Sequence, residues 1–220
     1  MMNIEEKQLL FFGKVTAGIT HELKNVFAII MESCGLLEDI ISLTSDEAFP
    51  TRQKFQKSLA GIQNQIDRGV KLLNHLNSFA HSPDAPAADV EIGQMLELII
   101  ALSYRFAKLK KVTLELSSSA CRPLFVKTRP AALLMLLFYC IECCLSLMTA
   151  GGSIILSPVK TEKFSGFHIF CQSGLDKGID FKKEVTSSSL WSELQFIVGE
   201  IGGNIRLDDA VQGIFIEIHS

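Results

Sequence analysis

The stretch Leu10-Phe-Phe-Gly-Lys-Val-Thr-Ala-Gly-Ile-Thr-His-Glu-Leu-Lys-Asn25 places one histidine, His21, among apolar residues that recur at helical intervals. The same period of three to four residues extends from Ile4 to Leu43, which predicts a single long helix. A helix of this length is too long for an ordinary surface helix. We therefore expect it to pack against a second element along much of its length.

A second helix is predicted after the first. Turn-forming residues fill positions 44–50, and a new helical pattern follows. Its apolar positions are Leu59, Ile62, Ile66, Val70, Leu73, Leu76 and Phe79. Two long helices joined by a short polar turn predict an antiparallel hairpin. Because each helix of a lone hairpin has only one neighbour to cover its apolar stripe, we expect a homodimer in which two hairpins form a four-helix bundle.

The chain changes character after the hairpin. Residues 81–89 contain two prolines and several small residues, which is typical of a linker, so we predict one domain over residues 1–82 and another over residues 83–220. The second domain combines helical patterns with strand-like segments, which predicts an α+β fold with helices on one face of a largely antiparallel sheet. The helical segments are 90–110, 131–150 and 187–201, and the strand-like segments are 112–116, 123–127, 153–159, 167–171, 204–208 and 213–219.

One of these helical segments is apolar enough to raise the question of a membrane. Residues 131–150 carry a single charged side chain, Glu142, and could span a bilayer by length. A central glutamate disfavours insertion, so we interpret the segment as a buried core helix and keep a membrane span as the alternative. Cys140, Cys143 and Cys144 share one helical face here. We interpret them as small core hydrophobes rather than as a metal or redox site.

The composition narrows the class of protein. The chain has 220 residues, of which 48% are hydrophobic, and this is ample for a folded core. Its 21 basic and 24 acidic residues give a formal net charge of -3, so we expect neither nucleic acid nor an anionic membrane as a partner. No secretion signal is evident near the N-terminus, and the six cysteines form no regular framework. We expect a cytoplasmic protein with reduced thiols.

His21 is the residue with the clearest chemistry, because an imidazole nitrogen is nucleophilic near neutral pH and can carry a phosphoryl group. Glu22 could accept a hydrogen bond from the other ring N–H and fix the tautomer, and Asn25 lies one turn further on along the same face. A zinc motif would need a second histidine where Asn25 stands, so no metal site is predicted. From spacing alone, a solvated or packed polar histidine is the simpler interpretation, while His75 and His81 are rival acceptors that lack an adjoining acid.

Residues 10–25 resemble the phosphoacceptor segment of sensor histidine kinases, with a small pair of residues before the histidine and an acid directly after it. The resemblance implies that His21 is phosphorylated, that Glu22 assists, and that Asn25 supports dephosphorylation of a partner response regulator. One departure is Val26, where many members of that family have a proline.

The second domain resembles the ATP-binding α/β sandwich of the same kinases in the order and spacing of its elements. Residues that bind the nucleotide in those kinases are replaced in this sequence. Tyr139 and Cys143 occupy the two positions where kinases carry a magnesium-binding asparagine, and the adenine-recognising Asp-x-Gly motif aligns with Gln172, Ser173 and Gly174. Glycines that would wrap the phosphates are missing from residues 185–191. The resemblance therefore implies a degenerate ATP-binding domain without a nucleotide or metal cofactor of its own.

Together these features predict a histidine phosphotransferase of two-component signalling. His21 would exchange phosphate with the aspartates of response-regulator receiver domains, which supply the magnesium and the reactive pocket. Two alternatives stay open. One is an ATP-dependent histidine kinase that binds ATP and magnesium in a divergent site, and the other is a non-enzymatic regulator that binds a kinase or a receiver. A sensor histidine kinase is accordingly a further candidate partner.

Overall fold

The computed structural model describes residues 4–43, 52–84, 87–117, 123–161, 164–176, 178–208 and 210–218. It begins with two long helices, α1 (Ile4–Leu43) and α2 (Arg52–Ala80). The aromatic rings of Phe11 and Phe79 lie 5.4 Å apart, and Glu22 pairs with Arg68. Residues further along α1 thus contact residues nearer the start of α2, so the two helices form the predicted antiparallel hairpin. The turn predicted at residues 44–50 lies outside the described residues.

The rest of the chain is a sheet covered by helices, as predicted for an α+β fold. Its remaining elements are β1 (Ala88–Glu91), α3 (Ile92–Lys110), β2 (Thr113–Leu116), β3 (Phe125–Thr128), α4 (Pro130–Leu147), β4 (Met148–Lys160), β5 (Ser165–Leu175), α5 (Phe181–Ser187), α6 (Ser189–Glu200), β6 (Gly203–Asp208) and β7 (Gly213–Ile218). Five strands form one sheet in the order β2-β4-β5-β7-β6, and β1 pairs with β3 in a separate ribbon. Only β2 and β4 are parallel in the five-stranded sheet, which confirms the largely antiparallel prediction.

Two short elements differ from the sequence-based expectation. The segment Ala88–Glu91, expected as the end of a linker and the start of a helix, is a strand paired with Phe125–Thr128. Its last residue, Glu91, caps α3 by accepting hydrogen bonds from the backbone N–H groups of Gly93 and Gln94. A carboxylate at this position also opposes the positive end of the helix dipole, so α3 starts two residues later than predicted. The helix expected at 187–201 is α6, which begins at Ser189 with Ser188 as its N-cap, and a separate short helix, α5, precedes it.

Helix α4 is the centre of the hydrophobic core. It is long and apolar enough to cross a membrane by length and composition, and it is mostly buried inside the protein. Its buried side chains face the sheet and the neighbouring helices, and 13 of them are in contact with the core: Ala132, Leu133, Leu134, Met135, Leu136, Leu137, Phe138, Tyr139, Cys140, Ile141, Cys143, Cys144 and Leu145. Because α4 is buried on most of its circumference, the segment has almost no polar side chains. The structure therefore supports the core interpretation for residues 131–147, whereas residues 148–150, expected as the end of the helix, begin β4.

The hairpin packs directly on the second domain. The ring of Phe11 lies 5.3 Å from that of Phe138 on α4, and Lys7 forms an ion pair of 3.2 Å with Glu193 on α6. Lys14 pairs with Glu142 of α4. Phe11 thus belongs to the same buried cluster as the sheet and α4. This packing brings the middle of α1, including His21, beside α3.

Candidate functional site

His21 lies near the middle of α1 with its side chain exposed. The buried face of α1 is marked by Val15, Ile19 and Val26, which fixes the rotation of the helix about its axis. His21 is offset from that stripe and so faces solvent at the junction with α3. An exposed imidazole at this position can be reached by another protein.

Asn25 contacts the imidazole as the helical spacing predicts. Its side-chain nitrogen lies 3.3 Å from Nδ1 of His21, one turn along α1. The same nitrogen lies 3.4 Å from Oε1 of Glu22. Asn25 therefore links the histidine and the acid that precede it on the helix.

Glu22 lies differently from the prediction. It was expected to accept a hydrogen bond from the ring of His21, but its carboxylate points toward α2 and is only 4% exposed. Oε2 accepts a hydrogen bond of 2.6 Å from Arg68, and Oε1 lies 3.8 Å from Arg105 of α3. A buried carboxylate needs such partners because an unpaired charge is costly away from water. In this arrangement Glu22 anchors two arginines beside the histidine, and Asn25 and Arg105 contact the ring instead.

Arg105 is the member of the site that sequence reasoning missed. Its Nη1 lies 2.5 Å from Nδ1 of His21, although the two residues are 84 positions apart in the chain. Gly18, in the turn of α1 before the histidine, faces the neighbouring part of α3, where a Cβ would already touch the ring of Phe106 at 3.4 Å. A larger side chain at position 18 would hold α3 further away. No periodicity or local motif marks Arg105, so only the packing of α1 on α3 identifies it.

The positions matched to the magnesium-binding asparagines lie on α4. Tyr139 lines a cleft of about 490 Å³ against α1, together with Leu9, Leu10, Phe11, Gly13, Lys14 and Glu142. Burial is the main cause that raises the pKa of Tyr139 to about 12, so the phenol is neutral at physiological pH. Cys143 is 2% exposed, and burial raises the pKa of its thiol to about 11. A neutral, buried thiol is a poor ligand for a hard cation such as Mg²⁺.

Gln172 and Gly174, matched to the adenine-binding motif, lie at the end of β5. Oε1 of Gln172 accepts a hydrogen bond of 3.2 Å from Ser153 of β4. Gly174 has φ of +90°, and a Cβ there would collide with the backbone of Gly152. Gly174 is thus required by the close approach of two strands at an irregular part of their pairing. Neither residue supplies the carboxylate that the adenine-binding motif has.

The other histidines have different surroundings. His81, which follows α2, is well exposed, and its Nδ1 lies 2.7 Å from Oδ2 of Asp84. His75 lines a cleft of about 360 Å³ between α2, α3 and α4, and burial lowers its pKa. His168 lies on β5, with its ring 4.9 Å from the ring of Phe170. Within the described part of the chain, no three side chains of the metal-ligating types come together.

Among known proteins, similarity to this chain is found in solved structures. No protein-family model matches the sequence, and no curated protein matches it. Among solved structures, the Acinetobacter baumannii histidine kinase AdeS is similar over 90% of this chain and 97% of its own, with 16% identity and a TM-score of 0.47. A bacterial phosphotransferase is similar over 99% of this chain and 97% of its own, with 12% identity and a TM-score of 0.47. The histidine kinase ThkA, in complex with the response regulator protein TrrA, is similar over 97% of this chain and 63% of its own, with 13% identity and a TM-score of 0.48. Since these identities and TM-scores are low, the function proposed next rests on the residues around His21.

Proposed function

We propose that this chain is a histidine phosphotransfer protein of two-component signalling. His21 accepts a phosphoryl group from the aspartyl phosphate of one response-regulator receiver domain and returns it to the aspartate of another. The observation that carries the proposal is the exposed His21 on a helical hairpin, with Asn25 within 3.3 Å of its ring and Glu22 paired to arginines beside it.

The chemistry needs little beyond an accessible imidazole. In the forward step, a ring nitrogen of His21 forms a bond to phosphorus while the bond between phosphorus and the aspartyl oxygen breaks, and the aspartate leaves as a carboxylate. The receiver holds the magnesium that neutralises the transferring group. Arg68 pairs with Glu22, the residue next to His21, so the charge of that buried carboxylate is balanced and does not repel an anionic group there.

The altered residues of the second domain favour a phosphate source outside the chain. Cys143 is a buried neutral thiol where a kinase would need a magnesium-binding oxygen, and Gln172 lacks the carboxylate that would recognise adenine. The proposed protein is a homodimer and is located in the cytoplasm. The chain would thus depend on receivers for phosphate and for magnesium.

The test compares two sources of labelled phosphate on the purified full-length chain. Phosphorylated receiver domains should label the protein, labelled ATP with magnesium should not, and His21→Ala should abolish the label because it removes the accepting nitrogen. His81→Ala is the matched control, since His81 is also exposed and also has a carboxylate partner, and it should keep full labelling. Labelling of His21 from ATP would replace the proposal with an ATP-dependent kinase. Labelling that survives in His21→Ala would refute the assignment of His21.

A further inference from the structure

Arg105 of the second domain contacts the proposed phosphoacceptor. Nη1 of Arg105, on α3, lies 2.5 Å from Nδ1 of His21 and 3.8 Å from Oε1 of Glu22. α3 itself is held in the core by Leu96, Ile99 and other buried residues, so the guanidinium reaches the ring from a fixed helix. The contact joins the reactive residue of the hairpin to the domain whose nucleotide site is degenerate.

This contact determines which ring nitrogen carries the proton. A guanidinium has hydrogen-bond donors and no acceptor, so Nδ1 of His21 must be the acceptor. The side-chain nitrogen of Asn25 approaches the same Nδ1 at 3.3 Å and can only donate as well. In the neutral ring the single proton then lies on Nε2.

In this tautomer His21 is a poor nucleophile. The lone pair of Nδ1 is engaged by two donors, and Nε2 has no lone pair in the ring plane because it bears the proton. Attack on phosphorus needs a free lone pair on the nitrogen that meets the partner. In the opposite tautomer, Glu22 could accept a hydrogen bond from Nδ1–H. Its carboxylate instead accepts a hydrogen bond of 2.6 Å from Arg68.

We propose that Arg105 is a positioning residue that holds His21 in the unreactive Nε2–H tautomer, so that the second domain controls when the histidine can accept phosphate. When the Arg105 side chain turns away from the ring, the imidazole loses a proton from Nε2 to solvent and takes one at Nδ1, with no net change in charge. Nε2 then has a free lone pair and forms the bond to phosphorus as the aspartyl oxygen leaves. The role in phosphate acceptance rests on the proposed function, whereas the effect on the tautomer does not.

The tautomer can be measured without any partner protein. In the full-length chain labelled with ¹⁵N, the two ring nitrogens of His21 are assigned by comparison with His21→Ala and followed up to the pH at which their signals stop changing, so that the neutral ring is observed. We expect Nε2–H in the unmodified protein. Arg105→Met removes the donor and keeps an unbranched side chain, and it should raise the Nδ1–H share relative to Nε2–H by about tenfold, as expected for loss of a hydrogen bond from a charged group. Arg105→Lys, which has donors only, should restore the original tautomer.

The matched control is Arg129→Met, which removes an exposed arginine that pairs with Glu200 instead of His21. It should leave the His21 signals unchanged. An unchanged tautomer ratio in Arg105→Met, in a variant whose circular dichroism remains native, would overturn the proposal.

Phosphate acceptance gives the second readout. Arg105→Met should accept phosphate from a phosphorylated receiver about tenfold faster than the unmodified chain, while Arg129→Met should not change the rate. A slower rate in Arg105→Met would overturn the proposal and assign Arg105 to binding the phosphoryl group. If no receiver labels any variant, the proposed function fails, and the ring signals still decide whether Arg105 sets the tautomer.

Discussion

Glu22 has a different role in the site from the one that its position next to His21 indicates. Its buried carboxylate is bound by Arg68 and lies within 3.8 Å of Arg105, so it holds one arginine from α2 and one from α3 at the same point. Charge-assisted hydrogen bonds of this kind are directional and stronger than neutral ones. Glu22 thus fixes the basic groups around His21.

The contacts of these arginines are the part of the site that could not be predicted from the sequence. His21 and Asn25 lie in one helical turn, and their contact follows from the period of the helix. Arg68 and Arg105 lie 46 and 84 positions away from their partners, so their contacts exist only once three helices have packed. The direction of the Glu22 carboxylate depends on those arginines, which is why its position next to His21 did not indicate it.

Cys143 gives a test of the core at residue scale. Burial raises the pKa of its thiol from 9.0 to about 11, so at pH 8 its thiolate fraction is about a hundredfold smaller than that of an unperturbed thiol. Alkylation by iodoacetamide at pH 8 should therefore be much slower at the buried Cys143 than at the exposed Cys34, as followed by mass spectrometry of peptides. Below pH 11, each unit of higher pH should raise the thiolate fraction of Cys143 about tenfold.

Denatured protein is the control for this comparison, because unfolding should make the two cysteines react at similar rates. Similar rates in the folded protein would contradict the burial of α4. They would also reopen the interpretation of the three cysteines on this helix as a reactive site.

At the scale of elements, α2 carries an apolar stripe that α1 does not cover. Leu59, Ile66, Val70 and Leu73 recur at helical intervals, and each exposes between 44 and 51% of its surface. A continuous apolar stripe on a helix is normally buried against another element. A second copy of the hairpin would cover it, as the proposed dimer requires.

Val70→Asp tests this stripe. Val70 is 50% exposed, so the charge should be tolerated in the isolated chain but should destabilise an apolar helix-to-helix interface by a few kcal/mol, on the order of the cost of an unpaired buried charge. Light scattering coupled to size-exclusion chromatography should give the mass of a dimer for the unmodified protein and of a monomer for Val70→Asp. Leu109→Asp is the matched control, because Leu109 is 68% exposed on α3, outside the hairpin, and should remain dimeric. A monomeric unmodified protein would refute the dimer.

The elements that the sequence predicted correctly are the long and strongly periodic ones. α1, α2 and α4 are each at least 18 residues long, and β4, β5 and β7 carry continuous apolar or alternating patterns. The missed elements are β1, with four residues, and α5, with seven. β1 depends on pairing with Phe125–Thr128, more than thirty residues later, and α5 on an N-cap from Asp180, so neither has a period long enough to be recognised.

At the scale of the whole molecule, one hydrophobic core joins the hairpin to the second domain. Phe11 on α1 contacts Phe79 on α2 and Phe138 on α4, and all three rings are almost fully buried. Contacts of this kind couple the stability of the elements they join. The position of Arg105 beside His21 depends on this packing, since the same interface holds α3 against α1.

Phe11→Ala should therefore uncouple the two halves. Truncation of a fully buried phenylalanine costs about 3–5 kcal/mol, and here the loss falls on the interface between the hairpin and α4. In the unmodified protein at fixed concentration, thermal unfolding followed by far-ultraviolet circular dichroism should coincide with unfolding followed by the fluorescence of Trp191, the single tryptophan, on α6. In Phe11→Ala the circular dichroism transition should move to lower temperature and separate from the fluorescence transition, because the hairpin loses its support first.

Phe27→Ala provides the comparison for this variant. Phe27 lies on the same helix and is exposed, so its truncation removes an equal volume without disturbing the shared core. In this variant the circular dichroism and fluorescence transitions should stay together. Separate transitions in the unmodified protein would mean that the core does not couple the halves. In that case the second domain could not hold Arg105 against His21 through this interface, and its control of the histidine would need another contact.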